Sequence, residues 1–415
     1  MLPKEVFDAA AHDDQTNTSF GLCPKFARLI SHRRRVRVVI APAPTPGTTR
    51  RADRNPRSHR PPTIANMTIR VIQWGSGNVG RHAIRTVATH PDMELVGLMV
   101  TNPGKVGRDI GDIAGIGSLG VTATADLDQI LTLDADVVLH MPLPSLVYGD
   151  DPGADMDNFC RLLASGKHVV TTVGYMYPQV HGDEVMDRLT AACEEGGSTF
   201  HGTGANPGWF GDLLPLLMSG LSLRIDRIEV QEISNFQHYP SPEIMFEMMN
   251  FGATPEVFAA STRHRGWLDG LFTEAVEMVA TGLGLTTTNT NSHMETWVTD
   301  VDLDTAAGRV AAGTIAGQRF RWEAMVGDVP VVSQETVWRM HERAAPDWPI
   351  GDWSVRILGE PEMYVDLKHG WNRNVLASTA AHAINAVPYL TDRSPGVVTF
   401  LDLPIVAGRG ALAPR

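Results

Sequence analysis

"TIRVIQWGSGNVGRHAIRTVATHPDMELVGLMV", Thr68 to Val100, decides how the rest of the chain is read. Its first apolar run is a strand, a Gly-rich turn comes next, and then a helix whose Val79, Ala83, Ile84, Val87 and Ala88 share one face. A second apolar run closes the unit. Gly75, Gly77 and Gly80 thus form a GxGxxG at a strand-to-helix junction, the context in which that motif has a mechanism. The first glycine permits the tight turn, the second lets the backbone approach a pyrophosphate, and the third lets helix and strand pack closely. The helix N-terminus favours the anionic phosphates. Asn78, Val79 and Arg81 join the three glycines as candidate cofactor contacts. An ordinary Gly-rich turn is the plainer alternative, and the complete strand, helix and strand favour the dinucleotide.

The end of the second strand selects between the nicotinamide cofactors. A site for NAD usually presents Asp or Glu there to the ribose hydroxyls. This chain reads "LMVTNPGKVGRD". Thr101 and Asn102 are neutral, and Lys105 and Arg108 come next, where they could meet a 2′-phosphate. The pattern predicts NADP, with NAD as the other option and Asp109 as the alternative ribose contact.

Outward from this unit the βα alternation continues, which predicts a Rossmann-like, doubly wound parallel sheet in an α/β chain. "ADVVLHMP" is a buried strand ending at His140, Met141 and Pro142; "MDNFCRLLASG" is a helix closed by Gly166; "KHVVTTV" is the next strand, and "STFHGTGANPGW" completes the set. Met141, Pro142 and Thr171 lie at strand ends and are candidate cofactor contacts. Asn206 has two readings: a cap, with Pro207 in the first position of the helix through "GWFGDLLPLLMSGL", or a contact to cofactor or substrate.

Beyond about residue 222 the texture changes to longer strands and one helical block. "RIDRIEVQEISNF", "QRFRWEAMV", "VVSQETVWRM" and "WSVRILGEPEMYVDLKH" alternate as strands, and "SPEIMFEMMNFG" and "WLDGLFTEAVEMVATGLG" read as helices. A second α+β domain on a mainly antiparallel open sheet is expected. The boundaries predicted are a basic extension over 1–66, a dinucleotide-binding domain over 67–205, a substrate and oligomerisation domain over 206–373, and a C-terminal segment over 374–415 whose helix returns to the first domain.

The extension differs in kind from the rest of the chain. Residues 1–66 hold 12 Lys+Arg against 5 Asp+Glu and carry a net +7, which leaves −19 on the remainder. Rich in Arg and Pro and without an apolar period, this arm is expected to be disordered, with the working protein beginning at Met67. It lacks the aromatic interleaving of a nucleic-acid binder. No apolar run is long enough to cross a bilayer. Cys23, Cys160 and Cys193 have no metal-ligand spacing and form no disulfide framework, so no metal and a cytoplasmic location are expected. The partners expected are a small-molecule substrate and a second copy of the chain, as a homodimer through the large second sheet.

Taken in order, "VIQWGSGNVGR", "VTNPGKVGRD", "GKHVVTTVGYMYP", "GTGANPGW" and "SPEIMFEMMNFG" resemble the dihydrodipicolinate-reductase-like proteins that include 2,4-diaminopentanoate dehydrogenase and the native amine dehydrogenases. The resemblance spans Met67 to the C-terminus. It implies an NAD(P) domain and an open-sheet substrate domain that together move a hydride to or from a small C=N or C=O substrate. Dihydrodipicolinate reductases proper carry a paired-His segment with a nearby Lys in the second domain; this chain has none, so a lysine-pathway role is not implied.

In the amine dehydrogenases the resemblance implies a glutamate just after the strand "KHVVTTV", where this chain has Gly174, Tyr175, Met176, Tyr177 and Pro178. The proton-handling group is therefore expected to be Tyr175 or Tyr177, assisted by Glu232. Glu232 and Ser234 share one face of an alternating strand. Gly174, Ser234 and His238 are candidate substrate contacts, and His140 and His201 are alternative acids. Imine or carbonyl reduction is favoured over amination with free ammonia. A non-catalytic NADP-binding sensor or scaffold is the alternative function.

Overall fold

The computed structural model describes residues 68–368 and 371–411. The expected disorder of residues 1–66 and the start at Met67 lie outside the described residues.

The opening unit folds as strand, turn, helix and strand. Strand β1 (Ile69–Trp74) is buried at every position but Arg70 because helices cover both faces of its sheet. With β2 (Met93–Met99), β3 (Ala123–Thr124), β4 (Val137–His140), β5 (His168–Thr171) and β6 (Thr199–Gly202) it forms a parallel sheet in the order 6-5-4-1-2-3. This is the doubly wound arrangement, and it leaves a crevice beyond the carboxyl ends of β1 and β4, where the strand order reverses. Helices α1 (Asn78–Val87), α2 (Ile110–Ala114), α3 (Leu127–Thr132), α4 (Ser145–Tyr148), α5 (Ala154–Ala164) and α6 (Asp183–Gly196) make the connections. Val71 of β1 packs with Ala83 and Val87 of α1, while its neighbour Ile72 points to the opposite core with Phe159, Leu162 and Leu189.

After α7 (Leu213–Ser219) the chain enters its second sheet. Strands β7 (Arg224–Asn235), β8 (Asn289–Val298), β11 (Ile315–Val326), β12 (Val329–Arg339), β13 (Trp353–Glu360) and β14 (Met363–Leu367) lie in the order 14-13-7-12-11-8, with β9 (Leu303–Thr305) and β10 (Gly308–Val310) as a separate ribbon. Only the β7–β12 pair is parallel. One face is covered by α8 (Pro255–Ala260) and the long α9 (Thr262–Gly282). There Phe272 of α9 stacks on Trp322 at 4.2 Å, and Phe320 stacks on the same indole at 5.6 Å. The other face carries charged pairs such as Arg319 with Glu335, 2.8 Å apart.

The chain then returns. Helix α10 (Val375–Ala386) places Ala380, Ala383 and Ile384 in the core beside β1 and α1, and β15 (Gly396–Val397) adds a seventh parallel strand next to β6. His201 of β6 secures this edge, with its Nδ1 2.8 Å from the Val398 carbonyl.

Asn206 is not a helix cap. The helix after it begins only at Leu213, whose N–H is accepted by Asp212 Oδ1 at 2.6 Å, so residues 205–212 are a turn that leaves the Asn206 amide free for other partners. "SPEIMFEMMNFG" forms a wide π-type turn over Glu243–Met248. Among the described residues no helix is long and apolar enough to cross a membrane, and no group of three or more His, Cys, Asp or Glu is placed to hold a metal.

Candidate active site

The crevice at the reversal of strand order is a groove of about 570 Å³. Gly75 turns there with φ +90°, and a Cβ on it would stand 2.6 Å from the Met141 carbonyl oxygen, so the loops after β1 and β4 meet as closely as they do only because the residue is glycine. A Cβ on Gly80 would collide with the Gly75 carbonyl, which is how α1 packs down on the turn. Gly77 is different: its φ is an ordinary −72°, and a Cβ there would meet nothing within 4 Å. The space beside Gly77 belongs to the groove, at the N-terminus of α1. That cradle fits a dinucleotide pyrophosphate.

Gly75, Gly77, Asn78, Val79, Thr101, Lys105, Met141 and Pro142 line the groove. Lys105 donates from Nζ to Ser76 Oγ at 3.0 Å and to the Ser76 carbonyl at 3.2 Å, bridging the end of β2 to the Gly-rich turn. Burial and the nearby charges of Arg81 and Arg108 lower its pKa, which places three cations around this corner. Arg81 donates to Asn78 Oδ1 at 2.6 Å, and Arg108 is exposed beyond the lining. Thr171 does not face the groove. Its buried hydroxyl lies 3.0 Å from His140 Nδ1, and the strand alternation turns its neighbour Thr172 outward to a second cavity instead.

That second cavity, about 250 Å³, lies between the two sheets and shares Tyr239, Ile244 and Leu376 with the groove, so the two spaces join. Glu232 of β7 is 6% exposed and lines it. Its carboxylate accepts the Asn206 side-chain N–H at 2.6 Å, the Trp338 indole N–H at 2.7 Å and the Ser234 hydroxyl at 3.4 Å. Each partner is itself held. Gln334 donates to Asn206 Oδ1 at 2.7 Å, and Trp353 donates to Ser234 Oγ at 3.1 Å. Burial pushes the Glu232 carboxyl up to about 7 against the opposing pull of those three donors. Among the described residues lining the cavity it is the one carboxylate, and none is Lys or Arg.

The structure brings together Glu232, Ser234 and Asn206 but not the two phenols. Tyr175 points away, with its ring between Phe159 at 5.6 Å and His181 at 5.2 Å, and burial raises its hydroxyl to about 12. Tyr177 donates its hydroxyl to Thr281 Oγ1 at 3.1 Å on the protein surface. The cause is the backbone: φ is +122° at Gly174 and +64° at Tyr175, which breaks the alternation after β5 and leaves Met176 as the residue facing the cavity. Gly174 lines a separate small hollow beside Glu274 and His181. Glu274 of α9 clamps this segment, accepting the backbone N–H of Tyr175 at 3.0 Å and of Tyr177 at 2.8 Å, and lying 2.8 Å from His181 Nε2. His238 is exposed and off the cavity, because β7 ends at Asn235 and a turn comes after it. His140 and His201 are sealed in the first domain, where burial lowers them to about 3 and about 4.

Three lining residues escape a reading of the sequence. Tyr239 stands where groove and cavity join, its hydroxyl pKa raised by burial. Trp338 comes to Glu232 only through the pairing of β12 with β7. His264, with Trp267, Leu268, Leu271 and Phe272, lines the cavity from one face of α9. The apolar stripe was visible in the spacing of these residues; the imidazole within it was the available signal.

Residues 69–172 match the family model of the dihydrodipicolinate reductase N-terminus, and residues 210–411 match that of the 2,4-diaminopentanoate dehydrogenase C-terminal domain. An amine dehydrogenase from Streptomyces virginiae is 32% identical over 367 residues, covering 84% of this chain and 99% of that protein. The 2,4-diaminopentanoate dehydrogenase of Acetoanaerobium sticklandii is 28% identical over 234 residues, 55% of this chain and 64% of that protein. Among solved structures, an amine dehydrogenase from Mycobacterium smegmatis shares the fold at a TM-score of 0.72 and 22% identity, over 84% of this chain and 99% of that one. With a dinucleotide groove opening onto a buried carboxylate, and a relative matched along nearly its whole length, the chain belongs to the family of NAD(P)-dependent amine and 2,4-diaminopentanoate dehydrogenases.

Proposed function

We propose that this protein is an NADP-preferring oxidoreductase that interconverts a small amine with its imine or carbonyl counterpart in the cavity beside Glu232. The observation that carries this reading is the placement of that carboxylate. It is buried in an apolar cavity that opens into the dinucleotide groove, with a pKa near neutrality. A group so poised serves as base in its ionised form and as acid in its protonated form. A protein that merely binds NADP has no use for it.

The Gly-rich turn and the N-terminus of α1 would hold the pyrophosphate, and Lys105 with Arg81 and Arg108 would meet a 2′-phosphate. The bound nicotinamide supplies or takes the hydride. The remaining work falls to the chain. Trp267, Leu271, Phe272 and Trp353 exclude water. Asn206, Ser234 and Trp338 fix the rotamer of Glu232, which accepts an N–H of the amine and takes its proton, or returns a proton to nitrogen or oxygen in the reverse direction. Tyr239 bounds the junction between the two spaces. The charge balance also selects: a substrate carboxylate would be buried here without a cation, at a cost of several kcal/mol. Simple amines and ketones are therefore favoured over amino acids and over the dicarboxylates of lysine biosynthesis. Because Glu232 supplies a carboxylate from the second domain, amination with ammonia stands on an equal footing with imine reduction, although the segment after β5 has none.

The test is NADPH oxidation with a panel of ketones, with and without ammonia, and the reverse assay with the corresponding amines. Ammonia-dependent turnover of uncharged ketones is expected. Turnover confined to carboxylate-bearing substrates would overturn the reading.

A further inference from the structure

His264 sits in the first turn of α9, on a different element from Glu232, and lines the same cavity. It is 2% exposed, and among the described residues neither of its ring nitrogens has a hydrogen-bond partner. The other deeply buried imidazoles behave differently. His140 and His201, both fully buried, each bond one ring nitrogen, to Thr171 and to the Val398 carbonyl respectively. Buried polar groups are nearly always satisfied, and one that is not raises the question of what satisfies it. The cavity wall that His264 shares is largely apolar, with Trp267, Leu268 and Phe272 from α9, Met245 from the wide turn and Met249 just after it. Burial lowers its pKa to about 4, so the ring is neutral and offers one donor and one acceptor.

We infer that His264 is a specificity-determining residue: its ring receives a hydroxyl, or another neutral hydrogen-bonding group, carried by the substrate away from the carbon that exchanges hydride. The substrates of this enzyme are then amines and ketones bearing such a second polar group, amino alcohols and hydroxyketones among them. A hydroxyl matches either tautomer of the neutral ring. A second ammonium does not, since Glu232 is the one anionic group on the cavity wall among the described residues. This inference rests on the amine reading of the Glu232 site and adds to it the far end of the substrate.

The experiment compares two amines of nearly equal shape, 2-aminohexane and 4-aminopentan-1-ol, which differ in a terminal methyl against a terminal hydroxyl. Their affinities for the cofactor-free protein are measured by calorimetry in the wild type and in His264→Leu. The ratio of the two affinities is expected to move about tenfold toward the apolar amine in the variant. Binding of both amines with an unchanged ratio overturns the role of His264 and leaves the Glu232 site standing. Failure of the wild type to bind either amine overturns the amine reading and this inference with it. Should His264→Leu not fold, the wild type decides: the imidazole ¹⁵N resonances of His264 should shift on adding 4-aminopentan-1-ol and stay in place with 2-aminohexane. Equal responses to the two would overturn the inference.

Discussion

Trp338 reaches Glu232 diagonally across a parallel strand pair. The register sets Trp338 beside Ser234, and its indole N–H runs back two residues to the carboxylate, 2.7 Å away. This donor favours the ionised form, against burial. Trp338→Phe removes it, so the apparent pKa governing catalysis should rise above the wild-type value near 7. A pH–rate profile of amine oxidation checks this; an unmoved profile would mean that the observed ionisation is not that of Glu232.

Glu232→Gln should lower turnover by roughly a hundredfold or more, the scale of a lost general acid or base. It should also change stability in a defined direction. The folded-state pKa of Glu232 lies above its unfolded value, so protonation favours the folded chain; its contribution is fully present below the unfolded pKa of about 4.5 and is lost as pH rises through about 7. The loss is of the order of 3 kcal/mol. Melting temperatures across that window should fall less steeply in the Gln variant than in the wild type.

Gly77→Val should abolish cofactor binding and leave the fold intact. The position has an ordinary φ and open space where the Cβ would go, so the side chain meets ligand rather than protein. Calorimetric titration with NADP, paired with a melting curve, separates the outcomes; retained affinity would show the turn to be only a turn.

Lys105→Ala combined with Arg108→Ala should weaken NADP by more than one charged hydrogen bond, about 1.5 to 3 kcal/mol, and leave NAD nearly unaffected. Most of this effect is assigned to Lys105, which lines the groove, with Arg108 acting through its charge. Equal losses for both cofactors would remove the 2′-phosphate from the explanation.

Among the phenols, Tyr175→Phe and Tyr177→Phe should turn over within a few-fold of wild type, since neither hydroxyl faces the cavity. Tyr239→Phe should show the larger effect. A hundredfold loss in either of the first two variants would bring the segment after β5 back as the proton source. Gly174→Glu is not expected to supply a substrate carboxylate, because at φ +122° its side chain would point at Leu271 and Glu274.

The fold was legible because it rests on local signals: an apolar strand, three spaced glycines and an amphipathic helix, repeated as βα units and then replaced by alternating strands. The face shared by Glu232 and Ser234 came from strand period alone. The phenols were misplaced because the positive φ values at Gly174 and Tyr175 reverse which side chains face inward, and nothing in the order of residues fixes that reversal. Asn206 allowed two readings, a cap or a contact in the site, because Asn-Pro before an apolar run suits a cap; its amide is taken by Glu232 and Gln334, partners from strands that sequence distance conceals. His238 failed for a simpler reason, since the strand ended three residues before it.

The return of the chain to its first sheet bears on how the protein can be made. Ala383, Ile384, Val387 and Leu390 fill the core beneath β1 and α1, and β15 covers the outer edge of β6. A ribosome that has released only the first half of the chain has exposed a sheet with one face covered by α1 but not by α10 and with one edge unpaired, missing several side chains that each contribute about 1.5 to 3 kcal/mol when buried. The nucleotide-binding half cut at residue 205 is therefore expected to melt well below the same half in the full chain.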